Sequence, residues 1–248
     1  MEIEIFDDAE ELAHAAAVRF QTLAQSSVAR QGRFSVALAG GNTPRRVYEL
    51  LATDEFKQQI DWPNVHIFFG DERPVPHEHP GSNYRMAFEA LLSKVPIPVI
   101  NVHPMNGAGD PDANARNYES ELRSFFGGAS WPRFDLVLLG MGEDGHTASL
   151  FPDSPALDER HAWVVANWIE KLGEFRVTLT APAINAAANA IFLVAGEKKA
   201  ERLYEVLRGP SQPAHLPSQL ISPKEGSLCW MVDAAAATRL RGSSSRFR

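Results

Sequence analysis

Residues 34–39, 65–69, 134–139 and 190–195 form mostly apolar runs, and each run stops at a glycine. Runs of that length, closed by glycine, are the pattern of strands covered on both faces. Residues 163–165, 176–179 and 228–232 are further strand candidates. Between them, residues 8–29, 44–60, 83–94, 111–126 and 197–207 carry helical patterns. Strand–helix alternation with near-continuous apolar strands predicts an α/β fold, a mainly parallel, Rossmann-like sheet with helices on both faces. Neither a long linker nor an internal repeat interrupts residues 1–240, which read as one domain. Residues 241–248, rich in Ser and Arg, read as a flexible tail.

Composition narrows the functional classes. With 248 residues, 44% of them hydrophobic, the chain can bury a substantial core. A formal net charge of −7 argues against nonspecific nucleic-acid binding. It leaves room for an anionic substrate, because a local cluster of Arg and Lys can oppose the global sign. Cys229 is the sole cysteine, which excludes an internal disulfide and a CxxC redox or zinc site. The acidic start at residues 1–8 lacks a signal-peptide pattern, and no apolar run approaches membrane-spanning length. The expectation is a cytoplasmic protein with neither a nucleic-acid nor a membrane partner. The sequence does not reveal the oligomeric state, and a monomer is the default.

The ends of the apolar runs hold the chemistry. After residues 134–139 come Gly140, Met141, Gly142, Glu143, Asp144, Gly145 and His146. Three glycines let the backbone turn sharply and approach a ligand, and a histidine stands where the turn ends. Ligands in open α/β proteins collect at the carboxyl ends of strands, and an ordinary imidazole pKa of about 6.5 suits proton transfer near neutrality. A tight connection with an incidental imidazole fits the same letters. After residues 34–39, the segment Gly40, Gly41, Asn42, Thr43, Pro44 places Thr43 as an N-cap and Pro44 at the first helical position. Free N–H groups and the positive end of the helix dipole would then make an anion site, although a well-capped helix alone has the same signature. The segment lacks the lysine of a Walker A loop and the third glycine of a dinucleotide fingerprint, which argues against ATP and NAD.

Two further strand ends are charged. Asp71, Glu72 and Arg73 offer carboxylates for hydroxyls and a guanidinium fork for an oxyanion, or else a solvated turn. His77, Glu78 and His79 follow in a Pro-rich loop and read as solvated, with no metal expected. Lys198 and Lys199 oppose the dipole of the helix they begin, as a bound anion would allow, while exposed side chains explain them too. Taken together, an imidazole, cationic anion binders and a helix N-terminus suit a small phosphorylated substrate undergoing acid–base chemistry.

Residues 39–44, 70–76, 82–84, 140–152, 176–180, 196–200 and 228–230 resemble, in this order, the 6-phosphogluconolactonases. The run Gly145, His146, Thr147, Ala148, Ser149, Leu150, Phe151, Pro152 carries the most specific match. One departure is Ala39, where the family usually has serine. The resemblance implies the fold shared with glucosamine-6-phosphate deaminase and ribose-5-phosphate isomerase. It also implies hydrolysis of 6-phospho-D-glucono-1,5-lactone to 6-phospho-D-gluconate in the oxidative pentose phosphate pathway, with no cofactor.

Lactone opening needs an activated water, a place for the oxyanion and a proton for the leaving ring oxygen. His146 is the expected general base and subsequent acid. Asp144 is expected to orient the ring or stabilise its cation, and N–H groups of the flanking glycine-rich loop are the oxyanion candidates. By family analogy Arg73 and Lys199 hold the phosphate, near Gly40, Gly41, Asn42 and Thr43. Asp71, Asn83 and Arg176 would contact hydroxyls or phosphate. Two rivals remain: an amino-sugar-phosphate deaminase or isomerase on the same fold, and a noncatalytic sugar-phosphate sensor. The resembling deaminases carry a glutamate shortly after Gly-His, and residues 148–152 contain no carboxylate.

Overall fold

The computed structural model describes residues 1–241. Six strands, β1 (Glu2–Phe6), β2 (Phe34–Leu38), β3 (Val65–Phe69), β5 (Leu136–Leu139), β8 (Asn189–Val194) and β9 (Ser227–Asp233), lie parallel in the order β1-β9-β8-β5-β2-β3. Val36 is the central register point, opposite Ile67 on one side and Leu136 on the other. Every residue of β2 and β5 is buried. Successive side chains on a strand point to opposite faces, so this pattern requires cover on both. Helix α1 (Ala9–Gln31) supplies part of that cover, packing against β1, β2, β9 and α2 (Asn42–Leu51). The fold is the expected mainly parallel α/β architecture.

Local chemistry sets the boundaries. The Asp8 carboxylate accepts the N–H groups of Glu10 and Glu11 at 2.9 Å each and starts α1. Gly32 ends it with a φ of 77°, which a residue bearing a Cβ rarely adopts. At α2 the expectation of a Thr43 cap fails. Gly41, at a φ of 102°, occupies the cap position and its carbonyl accepts the first helical bond, from Arg45. The helix therefore begins at Asn42, and Pro44 falls at its third position. The helix expected over 44–60 is also divided into α2 and α3 (Asp54–Lys57). At the break the Thr53 hydroxyl bonds the Leu50 carbonyl at 2.7 Å and competes with continuation of the helix.

Downstream, α4 (Asn83–Ala87) runs into a single π turn over Phe88–Leu92, followed later by α5 (Pro111–Phe125). Three strands leave the main sheet: β4 (Asp71–Glu72), β6 (Val164–Ile169) and β7 (Glu174–Leu179) make a separate antiparallel sheet in the order β4-β7-β6. The short helix α6 (Ala181–Asn185) precedes β8, and a 3-10 turn over Glu197–Lys199 leads into α7 (Ala200–Arg208). Arg241, assigned to the tail from sequence, closes α8 (Thr238–Arg241); the rest of the expected tail lies outside the described residues. No helix among the described residues is long and apolar enough to cross a membrane.

Strand β2 sits between β3 and β5. The chain leaves β2 for β3 on one side and later returns to β5 on the other. Connections leaving the carboxyl ends of β2 and β5 therefore part, and a crevice opens where the strand order reverses.

Candidate active site

A cleft of about 240 Å³ fills that crevice. Ala39, Gly40 and Gly41 border it from the end of β2, and Gly140, Met141, Gly142 and His146 from the end of β5. Asp71 and Arg73, Arg176 of β7, and Lys199 at the start of α7 complete the polar lining. A Cβ on Gly40 would lie 2.0 Å from Asn83 Oδ1, so any larger residue here would displace the buried Asn83 amide from Asp71.

The turn after β5 is built around His146. The N–H of Gly142 donates to the His146 carbonyl at 2.8 Å, and Gly145, at a φ of 85°, bends the chain back. That bend brings Asp144 and His146 together: the imidazole Nδ1 lies 2.5 Å from Asp144 Oδ1, which also accepts the His146 N–H at 3.2 Å. An ionised carboxylate only accepts, so Nδ1 carries a proton, and it is Nε2 that holds the lone pair whenever the ring is neutral. Burial pushes the Asp144 carboxyl up, but His146 and then Lys171 outweigh it and hold the group well below the usual carboxylate range. Phe151 stacks on the imidazole, with 4.0 Å between ring centres and 17° between planes.

Two cations face the cleft without a carboxylate partner among the described residues. Arg73 donates through Nη1 to the Gly81 carbonyl at 2.5 Å, while its buried Nε has no acceptor. Lys199 has no side-chain partner among the described residues, and burial pulls its ammonium pKa down against the pull of Glu143 and Asp144. An unpaired buried donor such as Arg73 Nε is costly unless an anion completes it, and the half-buried Lys199 stands beside the same cleft. Arg176, by contrast, is engaged by Glu174 through Nε at 2.8 Å. Lys198 is exposed and takes no part in the lining.

Asp71 and Glu72 divide the roles the sequence left joined. Asp71 borders the cleft and accepts from Ser149 Oγ at 2.6 Å and Asn83 Nδ2 at 3.1 Å. Glu72 turns inward and caps the start of α4, taking the N–H groups of Asn83 and Tyr84. His77 is half-buried beside Tyr84, with Nε2 3.1 Å from the Met105 carbonyl, and does not project into solvent as expected.

The structure thus brings Gly40, Gly41, Asp71, Arg73, His146, Arg176 and Lys199 to one cleft, with Asp144 behind His146. Asn83 acts behind the wall, against Gly40 and Asp71. Asn42 and Asn83 border an adjoining cavity that shares Gly41 and Arg73, and Thr43 borders neither. Among the loop N–H groups proposed for an oxyanion, those of Gly142, Gly145 and His146 are already donated within the turn. Those of Gly140 and Met141 have no acceptor among the described residues, and neither do those of Gly40 and Gly41 in the loop expected beside the phosphate. The only sequence signal for Ser149 and Phe151 is their place in the Gly-His-Thr-Ala-Ser-Leu-Phe-Pro run. Lys171 carries no sequence signal.

A crevice at the strand ends of a parallel α/β sheet, holding an Asp–His pair and unpaired cations, lies where ligands of such sheets bind and offers the charges a small anion needs. A family model described as "Glucosamine-6-phosphate isomerases/6-phosphogluconolactonase" matches residues 7–230, and the chain belongs to that family. It is 41% identical over 243 residues to a 6-phosphogluconolactonase of Synechocystis sp., covering 97% of this chain and 98% of the relative. The 6-phosphogluconolactonase structure from Trypanosoma cruzi superposes with a TM-score of 0.85 at 30% identity, covering 96% of each chain. A monomeric glucosamine-6-phosphate deaminase shares the fold with a TM-score of 0.81 at 21% identity, covering 96% of this chain and all of that one.

Proposed function

We propose that the protein hydrolyses 6-phospho-D-glucono-1,5-lactone to 6-phospho-D-gluconate, with His146 as general base. The observation that carries this reading is the Asp144–His146 contact at the wall of a cleft that also holds the unpaired cations Arg73 and Lys199. With Nδ1 given to Asp144, Nε2 takes a proton from water as the water oxygen attacks C1. The carbonyl electrons move to oxygen, where the undonated N–H groups of Gly140 and Met141 stabilise the charge. Collapse of the intermediate breaks the C1–ring oxygen bond, and the imidazolium returns its proton to the departing oxygen. Asp144 stabilises the transient cation without taking the proton itself.

Arg73, Lys199 and the N–H groups of Gly40 and Gly41 hold the phosphate, while Asp71 and Arg176 face the sugar hydroxyls. Residues 148–152 lack the carboxylate carried there by the resembling deaminases, which favours the lactonase. The test is the decay of freshly generated lactone with and without protein, beside the unphosphorylated lactone. Acceleration confined to the phosphorylated substrate, and lost in His146→Ala, is the expected result. Background decay throughout, or normal activity in His146→Ala, would overturn the reading.

A further inference from the structure

The tip of the hairpin between β6 and β7 reaches the catalytic pair. Lys171 leaves this tip and places its ammonium on Asp144 Oδ2, the carboxylate oxygen that His146 does not use. Its Nζ also lies 5.3 Å from the centre of the Phe151 ring, the ring that stacks on His146. Lys171, Asp144, His146 and Phe151 therefore touch in a closed circuit drawn from two separate segments of chain. The Lys171 side chain is 56% exposed, so the ion pair adds little to the stability of the fold. Holding so flexible a side chain in one place still costs rotamer freedom. Its effect falls on the pair it touches.

We propose that Lys171 is a positioning residue for Asp144 and His146, fixing the carboxylate so that Oδ1 meets Nδ1 and sharing its negative charge. This rests on the reading of His146 as general base. An Asp144 carboxylate not shared with Lys171 swings more freely, and its full charge favours the imidazolium, the form that cannot accept a proton from water. Other charges around the pair are Lys199, which feels Asp144 and Glu143, then Asp71, Arg73 and Arg176 on the cleft wall, and Asp153 and Glu170, which line a cavity with Asp144 and Lys171. None of these others is bonded to Asp144 among the described residues.

The experiment compares Lys171→Met, which keeps the apolar stem over Phe151, with Lys171→Arg, which keeps the charge. Lys171→Met should lower kcat by about tenfold, a fraction of the roughly 10²–10⁴-fold that a positioned base contributes, and leave KM within about twofold. The acidic limb of its pH–rate profile should move to higher pH, and the downfield Nδ1–H proton signal of His146 should broaden in the NMR spectrum. Lys171→Arg should restore both. The proposal is overturned if either the limb or the signal stays where the wild type has it, or if Lys171→Arg fails to restore them. A wild type that does not accelerate lactone decay would sink the lactonase reading instead, and the Nδ1–H signal would then decide the role of Lys171 by itself.

Discussion

Gly142 passes so close to His146 that a methyl group on it would lie 2.1 Å from Nδ1 and 2.3 Å from Cε1, as well as 2.7 Å from Asp144 Oδ1. The backbone there is not left-handed, so alanine brings no conformational strain of its own. The segment cannot simply recede, because its N–H is bonded to the His146 carbonyl at 2.8 Å. Gly142→Ala should push the imidazole and carboxylate off their mutual line. A misplacement of about 1 Å in a catalytic group can cost about 10²-fold in rate. Steady-state kinetics beside circular dichroism would check it, with kcat falling and the thermal midpoint nearly unchanged. An unaltered kcat would mean that the turn yields and that the close approach is not required.

Glu72 is fully buried and meets only donors. Oε1 accepts the N–H groups of Arg73 and Asn83 at 2.8 Å each, and Oε2 accepts Ser82 Oγ and the Tyr84 N–H at 2.9 Å each. Burial raises its pKa more than these four donors lower it. Glu72→Gln removes the charge, but either orientation of the amide aims an NH₂ at two N–H or O–H groups. The variant should lose about 2 kcal/mol, the usual penalty for leaving buried donors unpaired, as measured by urea unfolding at neutral pH. A glutamine variant as stable as the wild type would instead mean that the carboxyl is protonated in the fold.

These two sites mark where sequence reading succeeds and stops. Strands β2, β3, β5 and β8 were legible because burial on both faces leaves near-continuous apolar letters ending in glycine. Strand β1 was not. It is an edge strand with outward Glu2, so its alternation of Glu and Ile reads first as an acidic start. Two-residue β4 carries no periodicity at all and exists through its pairing with β7, about 100 residues later. The cap of α2 was assigned by side-chain chemistry to Thr43, whereas backbone freedom at Gly41 decides it. Asp144 and His146 were legible as candidates, but their contact depends on the bend at Gly145. Lys171 is a single lysine on a polar turn, and its part follows only from where the hairpin folds back.

Asp135 joins three elements at the end of the sheet opposite the cleft. Its Oδ1 accepts from Gln31 Nε2 at 2.8 Å, Arg30 Nη2 at 3.0 Å and Ser27 Oγ at 3.1 Å, and its Oδ2 from the N–H and hydroxyl of Ser35 at 2.9 Å each. The carboxylate thus ties the last turns of α1 to β2 and the start of β5. Asp135→Ala leaves the buried Ser27 and Ser35 donors unanswered. It should lower unfolding free energy by about 3 kcal/mol, toward the value for breaking a buried charged network. Activity per folded molecule should not change, since the contacts lie away from the carboxyl ends of the strands. Urea unfolding followed by kinetics well below the transition separates the two effects.

His66 gives the fold a pH dependence of its own. It lies on β3 with Nδ1 3.3 Å from His103 Nε2 and its ring 4.8 Å from that of Phe125. Burial first, then the charges of His103 and Arg33, push its pKa from 6.5 down to about 4. Between those values the folded protein keeps His66 neutral while the unfolded chain takes up a proton. The resulting stability is complete above pH 6.5 and is lost as the pH falls towards 4. The ring is partly exposed, so solvent screening limits the effect to about 1 kcal/mol. His66→Phe keeps an aromatic ring against Phe125 and has nothing to titrate. Urea midpoints measured at pH 7 and again near pH 5 should therefore fall less in the variant than in the wild type. Parallel losses in the two proteins would assign the acid sensitivity to other groups, since a residue without a titrating ring cannot reproduce a decline that His66 causes.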